Sequence, residues 1–82
     1  MLKVLLVDDE PLSIRIMRNI IDWTRFGAQI VATASDGVEA LEKFQTHQPN
    51  IIICDIKMPK MNGIDFIKEV RQINSEVEFL FV

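Results

Sequence analysis

The chain has 82 residues, 49% of them hydrophobic and 26% charged, which allows one globular domain and excludes a disordered segment. Nine Lys plus Arg against 12 Asp plus Glu leave a net charge of −3, which argues against a basic nucleic-acid-binding surface within these residues. One cysteine and uninterrupted apolar runs of at most four residues exclude an internal disulfide framework and a membrane span, and with no secretory segment after Met1 the expected address is cytoplasmic.

Leu2 to Val7 is β-branched and almost wholly apolar, and it ends at Asp8-Asp9. A short run without polar alternation predicts a strand buried on both faces, as in a parallel sheet. Pro11 suits a first helical position. Ile14, Met17, Ile20 and Ile21 recur at helical spacing, with Arg15, Arg18, Asn19 and Asp22 opposite. Trp23 to Gly27 breaks the pattern, with Gly27 placed to turn the chain back and Trp23 and Phe26 expected to cap the core. Ala28 to Ala34 predicts a second strand. Asp36 followed by Glu39 predicts a helix start, and Ala40, Leu41 and Phe44 supply its apolar face.

Ile51-Ile52-Ile53-Cys54 is the clearest strand and ends at Asp55. Met58 to Gly63 has the composition of a loop. Ile64, Phe66, Ile67, Val70 and Ile73 then predict a third helix, Asn74-Ser75 a turn, and Val77 to Val82 a fourth strand. The order β-α-β-α-β-α-β implies parallel strands, right-handed crossovers and helices on both faces.

Loops after the carboxyl ends of strands line the ligand crevice of such a sheet. If the first and third strands are neighbours, Asp8, Asp9 and Asp55 converge there. Three carboxylates repel one another unless a cation joins them, and an all-oxygen donor set suits Mg²⁺. A carboxylate can also serve as nucleophile for a phosphoryl group. The competing reading is that Asp8-Asp9-Glu10 merely caps the first helix. Cys54, next to Asp55, reads as a buried structural thiol. His47 is the only histidine, so no His-based metal cluster can form. No glycine-rich phosphate loop is present. An aspartate-based phosphohydrolase would carry a second acid two residues after the nucleophile, where this chain has Lys57.

Taken jointly, Val4-Leu5-Leu6-Val7-Asp8-Asp9-Glu10, Ile51-Ile52-Ile53-Cys54-Asp55-Ile56-Lys57-Met58-Pro59, Met61-Asn62-Gly63 and Asp36-Gly37 with Glu39-Ala40-Leu41 resemble the receiver domain of two-component response regulators. The resemblance implies a flavodoxin-like α/β fold, a doubly wound parallel sheet. It implies Asp55 as phosphoacceptor, Asp9 as a direct Mg²⁺ ligand with Asp8 beside it, and Lys57 as the residue whose backbone carbonyl binds the metal. Pro59 and Gly63 would shape the loop around the site. The implied partners are a histidine kinase and an output domain, DNA-binding and transcriptional, in the parent protein. The domain itself would be a phosphoacceptor signalling module rather than an enzyme, with no membrane or direct nucleic-acid contact.

A complete receiver has five βα units in the order 2-1-3-4-5. Residues 1–82 therefore read as a single partial receiver lacking the last helix-strand-helix portion. The Ser or Thr after the fourth strand and the Lys after the fifth, both implied by the resemblance, fall beyond Val82. Phosphorylation of this chain is accordingly expected to be poor. The alternative function is a truncated receiver acting only as a folding or protein-interaction module. The edge formed by Phe79 to Val82 is expected to be unpaired and apolar, which predicts a homo-oligomer, a two-fold dimer through this edge or through a swapped element.

Overall fold

The computed structural model describes residues 1–55 and 63–81. Four parallel strands, β1 (Leu2–Val7), β2 (Ala28–Ala34), β3 (Ile51–Cys54) and β4 (Glu78–Phe81), lie in the order β2-β1-β3-β4. The helices between them are α1 (Pro11–Ile20), α2 (Gly37–His47) and α3 (Gly63–Ile73), with a 3₁₀ turn at Trp23–Phe26. This is the α/β doubly wound arrangement that the alternation predicts.

Strand β1 is central, and its residues Val4 to Val7 are all fully buried. Its alternate side chains divide the core in two. Leu5 and Val7 join Ile52, Cys54, Phe44, Phe66 and Val70 under α2 and α3. Val4 and Leu6 join Ala28 and Ile53 under α1, with Ile14, Met17, Trp23 and Ile30 packed against them. The period of two along β1 thus explains why its sequence is apolar throughout.

Helix starts and stops follow the local chemistry. Pro11 opens α1. Asp36 caps α2, its carboxylate accepting the Glu39 N–H at 2.8 Å. Gln48 closes α2 in the left-handed region at φ 47°, and the Lys3 ammonium donates to the His47 carbonyl at 3.1 Å, a cation at a helix carboxyl end.

Three expectations change. Trp23 does pack against the core, with its indole N–H donating to the Met17 carbonyl at 3.1 Å. Phe26, however, is 71% exposed. Gly27, left-handed at φ 70°, sends the chain straight into β2, and Ala28 rather than Phe26 enters the core. The fourth strand begins at Glu78, one residue late, and the Val77 carbonyl before it accepts from Arg71; Val82 lies outside the described residues. Finally, β2 is not regular. Val4 pairs with Ile30 but Leu5 with Ala32, so Val31 is an extra residue and β2 carries a bulge.

Candidate functional site

The register of β1 against β3 ends at the pair Val7 and Cys54. One step further along each strand come Asp8 and Asp55, and main-chain hydrogen bonds continue there. The Asp55 N–H donates to the Val7 carbonyl, and the Asp8 N–H donates to the Ala34 carbonyl at the end of β2, each at 3.0 Å. The first acid is thereby tied to β2 and the second to β1. The sheet alone brings them together at its carboxyl edge.

Side-chain oxygens of Asp8, Asp9 and Asp55 all lie within 4.8 Å of one another. Asp8 is buried, Asp55 half-buried and Asp9 exposed. The capping alternative for Asp8-Asp9-Glu10 finds no side-chain cap bond at the start of α1. The N-cap position of α1 is Glu10, which makes no side-chain cap hydrogen bond. The Asp8 carboxylate instead accepts the Glu10 N–H at 3.0 Å. That bond curls the chain at the end of β1 and holds the buried carboxylate at the edge of the sheet.

The donors are hard oxygens only, gathered at two neighbouring strand ends. Such a set suits a small divalent cation that keeps part of its water shell. Lys57 and Pro59 fall outside the described residues; Gly63 opens α3. His47 lies at the far end of α2, beside Lys3 of the strand's opposite end, away from the acids.

Cys54 is fully buried and turned into the core under α2 and α3. Its thiol donates to the Asp55 carbonyl at 3.1 Å. Burial, helped by the charges of Asp55 and Asp8, pushes its pKa up to about 12, so it is a neutral thiol and a poor nucleophile. Sequence reasoning did not find the carbonyls of Ala34 and Val7 that anchor the two acids, because backbone atoms carry no residue signature.

A family model for the response regulator receiver domain matches residues 4–82. The chain belongs to this family. As a receiver domain it is a signalling module of two-component systems. It is 42% identical over 80 residues to an uncharacterized transcriptional regulatory protein, YesN, of Bacillus subtilis, covering 98% of this chain and 22% of that protein. It is 39% identical to the transcriptional regulatory protein HptR of Staphylococcus aureus, covering 98% and 32%. The chain thus spans between a fifth and a third of these relatives.

Among solved structures, the receiver domain of AraT, a response regulator from Geobacillus stearothermophilus, superposes with a TM-score of 0.93 at 35% identity, covering 98% of this chain and 62% of that one. A CheX–CheY–BeF3–Mg²⁺ complex from Borrelia burgdorferi superposes at 0.86 and 32% identity, covering 98% and 60%. No helix among the described residues is long and apolar enough to cross a membrane.

Proposed function

We propose that this receiver domain accepts a phosphoryl group on Asp55 from a histidine kinase and passes the change to an output domain. The observation that carries the reading is the convergence of Asp8, Asp9 and Asp55 within 4.8 Å at the ends of β1 and β3. An Asp55 carboxylate oxygen attacks phosphorus, the phosphorus–nitrogen bond to the donor imidazole breaks, and an acyl phosphate forms. Asp8 and Asp9 would repel the incoming phosphoryl oxygens if left alone. Bound Mg²⁺ would supply the missing positive charge and align the transfer. Asp8, Asp9, Asp55 and the Lys57 carbonyl are the proposed ligands, and CheY of the Borrelia burgdorferi complex offers a precedent in its BeF3 and Mg²⁺.

Two relatives are transcriptional regulatory proteins of which this chain covers 22% and 32%. That supports an output domain acting on transcription in the cytoplasm, with residues 1–82 as part of one longer receiver. The domain itself is proposed to touch neither membrane nor nucleic acid. The homo-oligomer is proposed on the outer edge of β4, which pairs only with β3 among the described residues and leaves Leu80 55% and Phe81 38% exposed. Light scattering over a concentration series checks it: mass rises with concentration, and Leu80→Lys returns a monomer. A monomeric mass throughout would refute it.

The phosphoacceptor reading is tested by intact-mass measurement after incubation with acetyl phosphate and Mg²⁺. The wild-type chain gains one phosphoryl mass, at low occupancy, and Asp55→Asn gains none. Equal labelling of both would reject Asp55.

A further inference from the structure

Strand β2 is outermost at the side of the sheet away from β4, and the strand order 2-1-3-4-5 of this fold leaves it outermost as well. An outer strand offers a row of main-chain N–H and C=O groups to any other strand. The seven residues Ala28 to Ala34 carry no charge, no proline and no glycine. The side chains that commonly blunt such an edge are therefore missing from it. Ile30, Val31 and Thr33 add β-propensity, and uncharged segments of this length without proline are the ones that pair with copies of themselves.

The main chain supplies what the side chains do not. The Leu2 N–H donates to the Gly27 carbonyl at 2.8 Å, and the Asp8 N–H donates to the Ala34 carbonyl at 3.0 Å. Both carbonyls face β1, yet the donors are six residues apart and the acceptors seven. In a straight strand, residues whose main chain faces one neighbour are an even number apart. The odd count is the bulge at Val31 seen from the main chain. The outward residues are Ala28 and Ile30 before the bulge and Thr33 after it, spaced by two and then by three. A straight strand that pairs in phase with Ala28 and Ile30 is out of phase at Thr33.

We propose that the bulge at Val31 guards this edge: by breaking the outward row, it keeps β2 from pairing with β2 of a second copy of the chain. The straight pieces left on either side, Ala28–Ile30 and Ala32–Ala34, have three residues each, against about five or six in an ordinary strand. The guard is the extra residue itself and not its side chain.

The test compares mass by light scattering at matched concentrations, with NMR contacts between Val4 and Ile30 reporting that β1 and β2 still pair. Deleting Val31 evens the outward row and is expected at least to double the mass at the highest concentration. Val31→Ala keeps the extra residue and leaves the wild-type mass. The same rise is expected on the Leu80→Lys background, which separates this edge from that of β4. The Ile30 and Thr33 amides, open to exchange in the wild type, become protected as the deleted chain associates. Thr33→Pro removes one outward N–H and no bond to β1. It is expected to leave the wild-type fold intact and to return the deleted chain to the wild-type mass. An unchanged mass after the deletion, or a rise that Thr33→Pro does not reverse, means that the bulge guards nothing. Loss of the fold in Thr33→Pro alone, or protected Ile30 and Thr33 amides in the wild type, means that these groups do not lie open at the edge, and either result overturns the proposal even if the deleted chain fails to fold.

Discussion

The Asp8 carboxylate accepts the Glu10 N–H at 3.0 Å while lying buried at the end of β1. One carboxylate thus does a structural task with one oxygen and adds its charge to a crowded site. Asparagine keeps the acceptor oxygen and removes the charge; alanine removes both. In metal-free buffer Asp8→Ala is expected to be less stable than Asp8→Asn by about 1 kcal/mol, the net worth of one hydrogen bond. Asp9 is exposed and shares only the crowding. Asp9→Asn should raise metal-free stability by up to about 1 kcal/mol through relief of like-charge repulsion. Denaturant melts check both. NMR titration with Mg²⁺ should move the Asp8, Asp9 and Asp55 amides together in the wild type and weakly in either asparagine variant.

Cys54 gives a pH dependence with a definite sign. Its thiol is raised from 9.0 to about 12 by burial, with smaller contributions from Asp55 and Asp8. In the unfolded chain it titrates near the ordinary value. Between those two values the unfolded chain has lost a proton that the folded chain keeps, so stability falls as pH rises. The contribution is fully present below pH 9 and declines by about 1.4 kcal/mol per unit above it. Comparing denaturant melts at pH 7.5 and 10, the wild type should lose about 1.4 kcal/mol more than Cys54→Ala. Equal losses would mean that the thiol titrates as if exposed.

Gln48 closes α2 with φ 47° and ψ 61°, its N–H donating to the Phe44 carbonyl. A β-carbon makes that conformation costly, and glycine is the residue such caps favour. Gln48→Gly should stabilise the chain by up to about 1 kcal/mol, while Gln48→Ala, which keeps the β-carbon, should not. Thermal melts of the two variants decide it; a glycine variant no better than the alanine one would place the strain elsewhere.

Much of this was legible in the residues. Apolar runs without alternation marked β1 and β3 as interior strands, and Pro11, Asp36 and Gly27 marked ends and turns. The site was legible because Asp8, Asp9 and Asp55 follow those two strands directly, so one adjacency in the sheet sufficed to collect them. Phe26 was misplaced because composition does not show which of two nearby aromatics the chain turns inward. The Ala34 carbonyl was invisible, since any residue has one. The bulge in β2 was hidden too, because Ala28, Ile30, Ala32 and Ala34 look like one face of a regular strand.

They are not one face. Ala28 and Ile30 pack with Val4 and Leu6 under α1, whereas Ala32 and Ala34 pack with Leu5 and Val7 under α2 and α3. Val31 is the extra residue that lets the strand change sides, since Leu5 pairs with Ala32 directly after Val4 with Ile30. Removing it makes Ile30 and Ala32 neighbours, and successive residues of a strand point to opposite faces anyway. Deleting Val31 should therefore preserve every β1–β2 pair and change stability by no more than about 1 kcal/mol, the ordinary scale of a tolerated change. Deleting Gln29 also straightens the strand, but it slides Ile30 opposite Lys3 and turns it to the wrong side of the sheet. That variant puts Val31 opposite Val4 in place of the half-buried Ile30 and should be less stable than the Val31 deletion by about 1 kcal/mol, the scale of an isoleucine-to-valine change. Denaturant melts, with NMR contacts between Val4 and Ile30 and between Leu5 and Ala32, distinguish them. If both deletions cost the same, Val31 is not the residue that changes the register.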